Sequence, residues 1–254
     1  MNKVLIIGNS HAACLRYAEK LVTPSYNVEL DFLIAHGGSK GYMLLDDEGI
    51  YLKARPDWSR RKDAEKQYKH YDNLVTQFEA ITSDCKVYFK NYSAVLLVGG
   101  EYMLNWPLFS IDVEKYSSGF LEKHFLKLIE SSTFYKWISS IDRPSVKSKI
   151  FVLSNPLINE LAYETTPDNV AQVLPPKTNK AFNSTHEFSH LGIKSLGATY
   201  IPLPNELLSS AGNTTSAKFK FHTPKDMGHL NKLGGEIRLR NALDTLVEVG
   251  LLSS

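Results

Sequence analysis

The stretch that decides the fold stands near the start of the chain and reads Val4-Leu5-Ile6-Ile7-Gly8-Asn9-Ser10-His11. It begins with four consecutive apolar residues, three of them β-branched, which is typical of a short strand that is buried on both faces. Gly8, Asn9 and Ser10 are turn residues, and apolar side chains then recur at helical spacing as far as Leu21. The pattern predicts a strand, a sharp turn and a helix, with a serine at the turn.

A serine at this turn has two interpretations. In an open α/β sheet, ligands bind beyond the carboxyl ends of the strands. Free N–H groups and the helix dipole also favour negative charge at a helix N-terminus. Ser10 is therefore a candidate nucleophile whose own amide supplies half of an oxyanion hole. The alternative is that Ser10 is simply the N-cap of the helix that follows.

Further apolar runs extend the same pattern along the chain. They predict strands over 28–34, 92–98, 149–154 and 199–204, and prolines place the last of these at a sheet edge. Helical spacing predicts helices over 63–78, 119–139, 180–191 and 231–243. Strands separated by helices favour a doubly wound α/β fold, with about five parallel strands and helices on both faces. We expect one domain over 1–254, with an irregular insertion around 42–90.

Composition excludes several classes of protein. The chain has 254 residues and a formal net charge of +2, and no concentrated basic face indicates a nucleic-acid partner. No apolar run approaches the length of a membrane span. Only Met1, Asn2 and Lys3 precede the first strand, which leaves no room for a signal peptide, so we expect a cytoplasmic protein. The two cysteines show no metal-binding spacing. His186 and His190 are four residues apart and could share a helix face as a metal pair, but no third ligand is in view, so we expect no metal and no cofactor.

A second polar stretch, Thr223-Pro224-Lys225-Asp226-Met227-Gly228-His229, precedes the last predicted helix. Asp226 and His229 are three residues apart. In a turn, this spacing allows the carboxylate to accept a hydrogen bond from the imidazole Nδ1–H, which leaves Nε2 available as a base. The alternative interpretation is a helix-capping aspartate beside a surface histidine.

Together, the two stretches resemble the first and last sequence blocks of the SGNH/GDSL hydrolase superfamily. The first block of that family is usually Gly-Asp-Ser, with Gly-Asn-Ser as a variant, and its last block is Asp-x-x-His. The order along the chain also agrees. The resemblance implies a three-layer, flavodoxin-like fold and a catalytic triad in which Ser10 is the nucleophile, His229 the base and Asp226 the residue that orients the base.

The resemblance also implies where oxyanion donors should lie. The second block of the family is a glycine after the second strand, and either Gly37 or Gly38 occupies that place. The third block is Gly-x-Asn-Asp, whose asparagine side chain is a donor, but here Glu101 stands at the asparagine position. A carboxylate cannot donate to an oxyanion, so Asn105, four residues further on, is the candidate donor. Glu101 can instead hold a hydroxyl or amine of the substrate.

The segment after the third predicted strand is rich in aromatic residues. Gly100, Tyr102 and Trp106, together with His11, are candidate substrate-binding residues, because aromatic rings stack on sugar faces and line acyl pockets. The alternative is that these aromatic side chains belong to the hydrophobic core beneath a long loop. The family resemblance implies a serine esterase that removes short acyl groups from a carbohydrate or a similar small ester. An acyltransferase with the same triad acting on a glycan, and a non-catalytic glycan-binding protein, are the alternatives.

Overall fold

The computed structural model describes residues 1–35, 41–99, 115–156, 179–210, 212, 214–221 and 229–253. Its strands are β1 (Asn2–Gly8), β2 (Val28–Ile34), β3 (Met43–Leu45), β4 (Gly49–Leu52), β5 (Lys86–Tyr88), β6 (Ala94–Val98), β7 (Ile150–Leu153) and β8 (Thr199–Ile201). Its helices are α1 (Ala13–Val22), α2 (Ala64–Ile81), α3 (Ser118–Ser131), α4 (Thr133–Ser139), α5 (Pro144–Lys147), α6 (Asn179–Ser195) and α7 (Lys232–Glu248). In these ranges, no helix combines the length and apolar character that crossing a membrane requires.

The main sheet has five parallel strands in the order β2-β1-β6-β7-β8. This is the strand order of flavodoxin-like folds when the five strands are counted along the chain, and it confirms the predicted α/β class. Gly8 pairs with Val98, and Val98 pairs with Leu153, so β1, β6 and β7 end level with one another. We call this side of the sheet the carboxyl edge.

Helices cover both faces of the sheet because the central strands alternate between two cores. Val4 and Ile6 of β1 belong to the core that contains residues of α1, α3 and α7. Leu5 and Ile7 belong to the other core, which contains residues of α2 and α4. All four side chains are fully buried, as the unbroken apolar run predicts.

The segment 42–90 is more regular than its sequence suggests. Strands β3, β4 and β5 form a separate antiparallel sheet in that order, and α2 spans 18 residues between β4 and β5. Buried side chains from this sheet, including Met43, Ile50 and Val87, belong to the same core as α2. The segment therefore has regular secondary structure, and its being an insertion in a single domain stays a prediction.

The prediction of a single continuous helix over 119–139 is also wrong. The chain leaves the helix at Ser132, whose φ of −68° and ψ of 150° are extended, and whose hydroxyl accepts a hydrogen bond from the Tyr135 N–H at 3.1 Å. Serine competes in this way with the helical hydrogen bonds of its neighbours. The break lets Phe125 of α3 join one core while Trp137 of α4 joins the other.

Candidate active site

The turn after β1 carries Ser10 to the carboxyl edge. Asn9 donates its backbone N–H to the Val98 carbonyl at 3.2 Å, and Ser10 then begins a 3-10 turn that ends at Ala12 and leads into α1. The turn requires a glycine at position 8, since a Cβ there would lie 2.5 Å from the Val98 oxygen. The predicted strand, turn and helix are therefore confirmed, with Ser10 beside the start of the helix.

The Asn9 side chain holds this turn in place. Its Oδ1 accepts from the His11 N–H at 2.9 Å, and its Nδ2 donates to the Gly99 carbonyl at 2.7 Å. Asn9, with φ −97° and ψ −160°, is thus the N-cap of the turn. The interpretation of Ser10 as the capping residue is wrong, and its hydroxyl points elsewhere.

Gly99 makes the approach of Asn9 possible. It follows β6 directly and has a φ of +84°, a conformation that favours glycine. A Cβ at this position would lie 1.9 Å from Asn9 Oδ1. The end of β6 is therefore shaped to receive the asparagine from the end of β1.

His229 lies on a short extended segment immediately before α7. Its carbonyl accepts from the Phe221 N–H at 3.2 Å, and Lys220 and Leu230 form an antiparallel bridge. Asn231, two residues after the histidine, caps α7 by accepting from the Gly234 N–H at 3.0 Å. These bonds fix the backbone from the His229 carbonyl to the start of α7.

The two segments bring a hydroxyl and an imidazole together. His229 Nε2 lies 2.6 Å from Ser10 Oγ, although 219 residues separate them in the sequence. This distance is within the hydrogen-bond reach that a general base requires. A neutral imidazole with its proton on Nδ1 can accept the serine proton at Nε2 as the oxygen attacks. His229 is half-buried, and its contact with Ser10 favours the interpretation as a base over that as a surface histidine.

Ser10 also offers a backbone donor. Within the part of the chain that the structure describes, its N–H makes no hydrogen bond, as expected for the first N–H groups of a helical turn. Such a donor can bind the oxyanion that forms when Ser10 attacks a carbonyl.

A small cavity of about 150 Å³ opens beside the pair. Among the described residues, Ser10, His11 and His229 line it together with a mainly apolar group: Ala13, Cys14, Tyr17, Phe221 and Leu230. His11 is only 5% exposed, and its ring stacks on that of His229 with centroids 4.5 Å apart and planes inclined by 24°. His11 therefore lines the cavity and also contacts the candidate base.

Cys14 does not compete with Ser10 as a nucleophile. Burial raises the pKa of its thiol above the usual value, against a smaller lowering effect of the neighbouring Arg238 guanidinium. The thiol donates to the His11 carbonyl at 3.1 Å. Cys14 is thus a neutral wall of the cavity, because the thiolate is the reactive form of cysteine.

Several predicted site residues lie outside the described residues, and their roles stay predictions: Asp226, Gly37, Gly38, Gly100, Glu101, Tyr102, Asn105 and Trp106. Of the predicted site, the structure therefore brings together Ser10, His11 and His229. No group of three or more His, Cys, Asp or Glu residues is placed to hold a metal ion in the described ranges.

The sequence contained signals for some residues that the predictions missed. Ala13, Cys14 and Tyr17 follow Ser10 at intervals of three, four and seven, so they share one face of the helix with it. Phe221 had no such signal, because it reaches the cavity only through its pairing with His229.

No family model matches this chain, and no curated protein matches it. Among solved structures, the periplasmic domain of a Salmonella ser. Paratyphi A lipopolysaccharide acetyltransferase aligns with 97% of this chain and 84% of its own, at 12% identity and a TM-score of 0.49. A lipase from a goat rumen metagenome aligns with 99% of this chain and 98% of its own, at 13% identity and a TM-score of 0.41.

A proposed acylhydrolase from Bacteroides fragilis aligns with 97% of this chain and 88% of its own, at 10% identity and a TM-score of 0.41. At such identities and scores, these likenesses say nothing about the activity of this chain. The residues at the carboxyl edge carry the functional conclusion.

Proposed function

We propose that this chain is a serine hydrolase of SGNH type, an esterase that removes short acyl groups from a carbohydrate or a similar small ester. The observation that carries the proposal is the 2.6 Å approach of His229 Nε2 to Ser10 Oγ at the carboxyl edge of a parallel sheet. A nucleophile and a base within hydrogen-bond reach are the signature of covalent catalysis by serine.

The proposed reaction has two stages. Ser10 Oγ attacks the ester carbonyl while His229 Nε2 takes its proton, and the Ser10 N–H binds the oxygen that becomes negative. His229 then gives the proton to the departing alcohol, leaving an acyl group on Ser10. Water, activated by His229, hydrolyses that acyl-serine and restores the enzyme. In this scheme Asp226 orients His229, and Gly37, Gly38 and Asn105 are the further candidate donors to the oxyanion.

The cavity supports a short acyl group. Its volume of about 150 Å³ lies well below the roughly 300–1,000 Å³ of pockets that enclose drug-sized ligands. Its lining beyond Ser10 and the two histidines is mainly apolar, which suits the methyl end of an acetyl group. A long acyl chain would extend beyond the cavity that the described residues line.

The test is hydrolysis of p-nitrophenyl acetate by three proteins: the unaltered chain, Ser10→Ala and Ser145→Ala. Ser145 is an exposed serine before β7, on the other side of the sheet from Ser10, and serves as the matched control. We expect Ser10→Ala to lower kcat by at least about 10³-fold, because it removes the nucleophile, and Ser145→Ala to leave it unchanged. Equal rates for all three proteins would contradict the proposal.

The same assay separates hydrolysis from transfer. Adding a sugar with free hydroxyls tests whether an alcohol can replace water as the acceptor of the acyl group. A rate that rises with sugar concentration, with acyl-sugar as product, would replace the esterase by an acyltransferase that uses the same Ser10 chemistry. A chain that binds glycans without any Ser10-dependent turnover would be a non-catalytic binding protein.

A further inference from the structure

The ring of His11 covers one face of the candidate base. The two imidazole rings are 4.5 Å apart between centroids and nearly parallel, with an interplanar angle of 24°. His11 is held in this position from both ends of its backbone. Its N–H donates to Asn9 Oδ1 at 2.9 Å, and its carbonyl accepts from Cys14 Sγ at 3.1 Å.

This contact changes in strength when His229 takes up a proton. A cation placed over the face of an aromatic ring within about 6 Å is attracted by the ring's quadrupole, most strongly where water is excluded. The attraction requires that the second ring stay neutral, because two stacked imidazolium ions would repel each other. His11 is only 5% exposed, and an isolated charge is costly to bury.

We propose that His11 is a positioning residue that stabilises the protonated form of His229 through its ring face. This role rests on the proposed function, in which His229 is protonated in the transition state, and it deepens that function by explaining why the residue after the nucleophile is an aromatic one. A contact that strengthens only as the proton arrives favours the transition state over the ground state, and so raises kcat rather than lowering KM.

Other groups also face His229 and are unchanged in the test. The described ones are Ser10 on its Nε2 side, and Cys14 and Tyr17 of α1 across the cavity. Behind them, the Arg238 guanidinium lies close to the Cys14 thiol. Asp226, which precedes His229 by three residues, is the proposed partner of its Nδ1.

The test compares His11→Leu with His11→Phe. Both substitutions remove every polar bond of the His11 ring, so the difference between them isolates the aromatic face. The first measurement is the pH midpoint at which the His229 ring takes up its proton. NMR of labelled histidine gives this midpoint in each folded variant. This measurement does not depend on turnover, so it stands even if the proposed esterase activity fails.

We expect the midpoint of His229 in His11→Leu to lie about one pH unit below that in His11→Phe, because only the phenyl ring still stabilises the cation. In the esterase assay, we expect kcat of His11→Leu to fall about tenfold relative to His11→Phe at unchanged KM. Thermal unfolding of both variants checks that each is folded at the assay temperature.

Equal midpoints in the two folded variants would overturn the role of the ring face, whatever the activity. A midpoint shift without any Ser10-dependent turnover in the unaltered chain would support the stacking effect and contradict the proposed function. If His11→Leu does not fold, His11→Phe is compared with the unaltered chain. A midpoint within about 0.3 pH units would then support the inference, and a fall of about one unit would overturn it.

Discussion

Two cavities at opposite edges of the main sheet differ in size and in chemistry. The cavity beside Ser10 has a volume of about 150 Å³, and its described lining is mainly apolar around a hydroxyl and an imidazole. A larger cavity, of about 430 Å³, opens near Lys149, the residue before β7, and we call it the amino-edge groove. Its described lining consists of Asp47, Glu48, Tyr88, Phe89, Lys90, Arg143, Ser145, Val146 and Lys149.

The two acidic residues of the amino-edge groove already have structural roles. Asp47 accepts from the backbone N–H groups of Asp142 and Arg143, and Glu48 pairs with Lys86 at 2.8 Å. Ser145 is the one serine in its described lining, and no imidazole is part of that lining. The comparison teaches that a nucleophile within reach of a base identifies a candidate active site, whereas the volume of a cavity does not.

Among these predictions, the largest difference in kcat should be that between a variant of the base at the carboxyl edge and a variant of the amino-edge groove. We expect His229→Gln to lower kcat for p-nitrophenyl acetate by about 10²–10⁴-fold, because glutamine cannot accept the serine proton. Lys149→Gln, which alters the amino-edge groove, is the control and should retain full activity. Similar activities of His229→Gln and the unaltered chain would show that Ser10 does not use this histidine.

The bond between Asn9 and Gly99 should be the next most sensitive feature. Asn9→Asp keeps the size of the side chain, but a carboxylate cannot donate to the Gly99 carbonyl. We expect unfolding to become about 1–3 kcal/mol easier at pH 7, as for other half-buried groups that lose a partner. The control is Asn91→Asp at an exposed position.

The loss in Asn9→Asp should depend on pH. The Gly99 carbonyl favours the protonated form of the introduced carboxyl, and we expect this to outweigh the His11 N–H, which favours the charged form, and so to raise the pKa of the carboxyl in the folded state. A protonated carboxyl can again donate to Gly99, so the penalty should shrink as the pH falls through that raised pKa and be full above it. Denaturant unfolding at pH 7 and at pH 4 measures this, and equal penalties at both would contradict the donor role of Asn9.

The cap of α7 should link stability to activity. Asn231→Ala removes the bonds to the Gly234 N–H and the Lys218 carbonyl, and we expect it to cost about 1 kcal/mol of unfolding free energy. Ser132→Ala removes the cap of α4 and should cost a similar amount. Only Asn231→Ala should also lower kcat, since His229 lies two residues before that cap. Equal effects of Asn231→Ala and Ser132→Ala on kcat would show that the α7 cap has no specific influence on the position of His229.

The smallest effects should come from the amino-edge groove itself. Arg143 and Lys90 are exposed, and neither forms an ion pair in the described part of the chain. Arg143→Gln and Lys90→Gln should therefore change the unfolding free energy by no more than about 0.5 kcal/mol and leave kcat unchanged. A loss of esterase activity in either variant would mean that the groove belongs to the substrate-binding surface.

The main sheet was predictable because its strands are buried on both faces. Continuous apolar runs therefore mark them, and the structure confirms the range 28–34 for β2 to the residue. The break at Ser132 was not predictable from spacing, since apolar side chains continue at helical intervals across it. A serine hydroxyl that caps the next helix decided the local structure there.

The site was predictable only as far as local motifs reach. Ser10 and His229 were found because each stands in a short block with its own chemistry. The contacts that hold them were not predictable, since they join distant parts of the chain: Asn9 meets Gly99 across 90 residues. Similarly, the stacking of His11 on His229 depends on how α1 and α7 pack, where Gly235 brings the helices so close that a Cβ would meet the Cys14 carbonyl.

Covalent labelling tests the central claim most directly. A fluorophosphonate reacts with a serine only where a base activates the hydroxyl, and mass spectrometry of the digested protein locates the adduct. We predict a single adduct on the peptide that contains Ser10, formed much more slowly in His229→Gln. An unlabelled Ser10 in the folded protein, or an adduct on another serine, would contradict the claim that Ser10 and His229 form a catalytic pair.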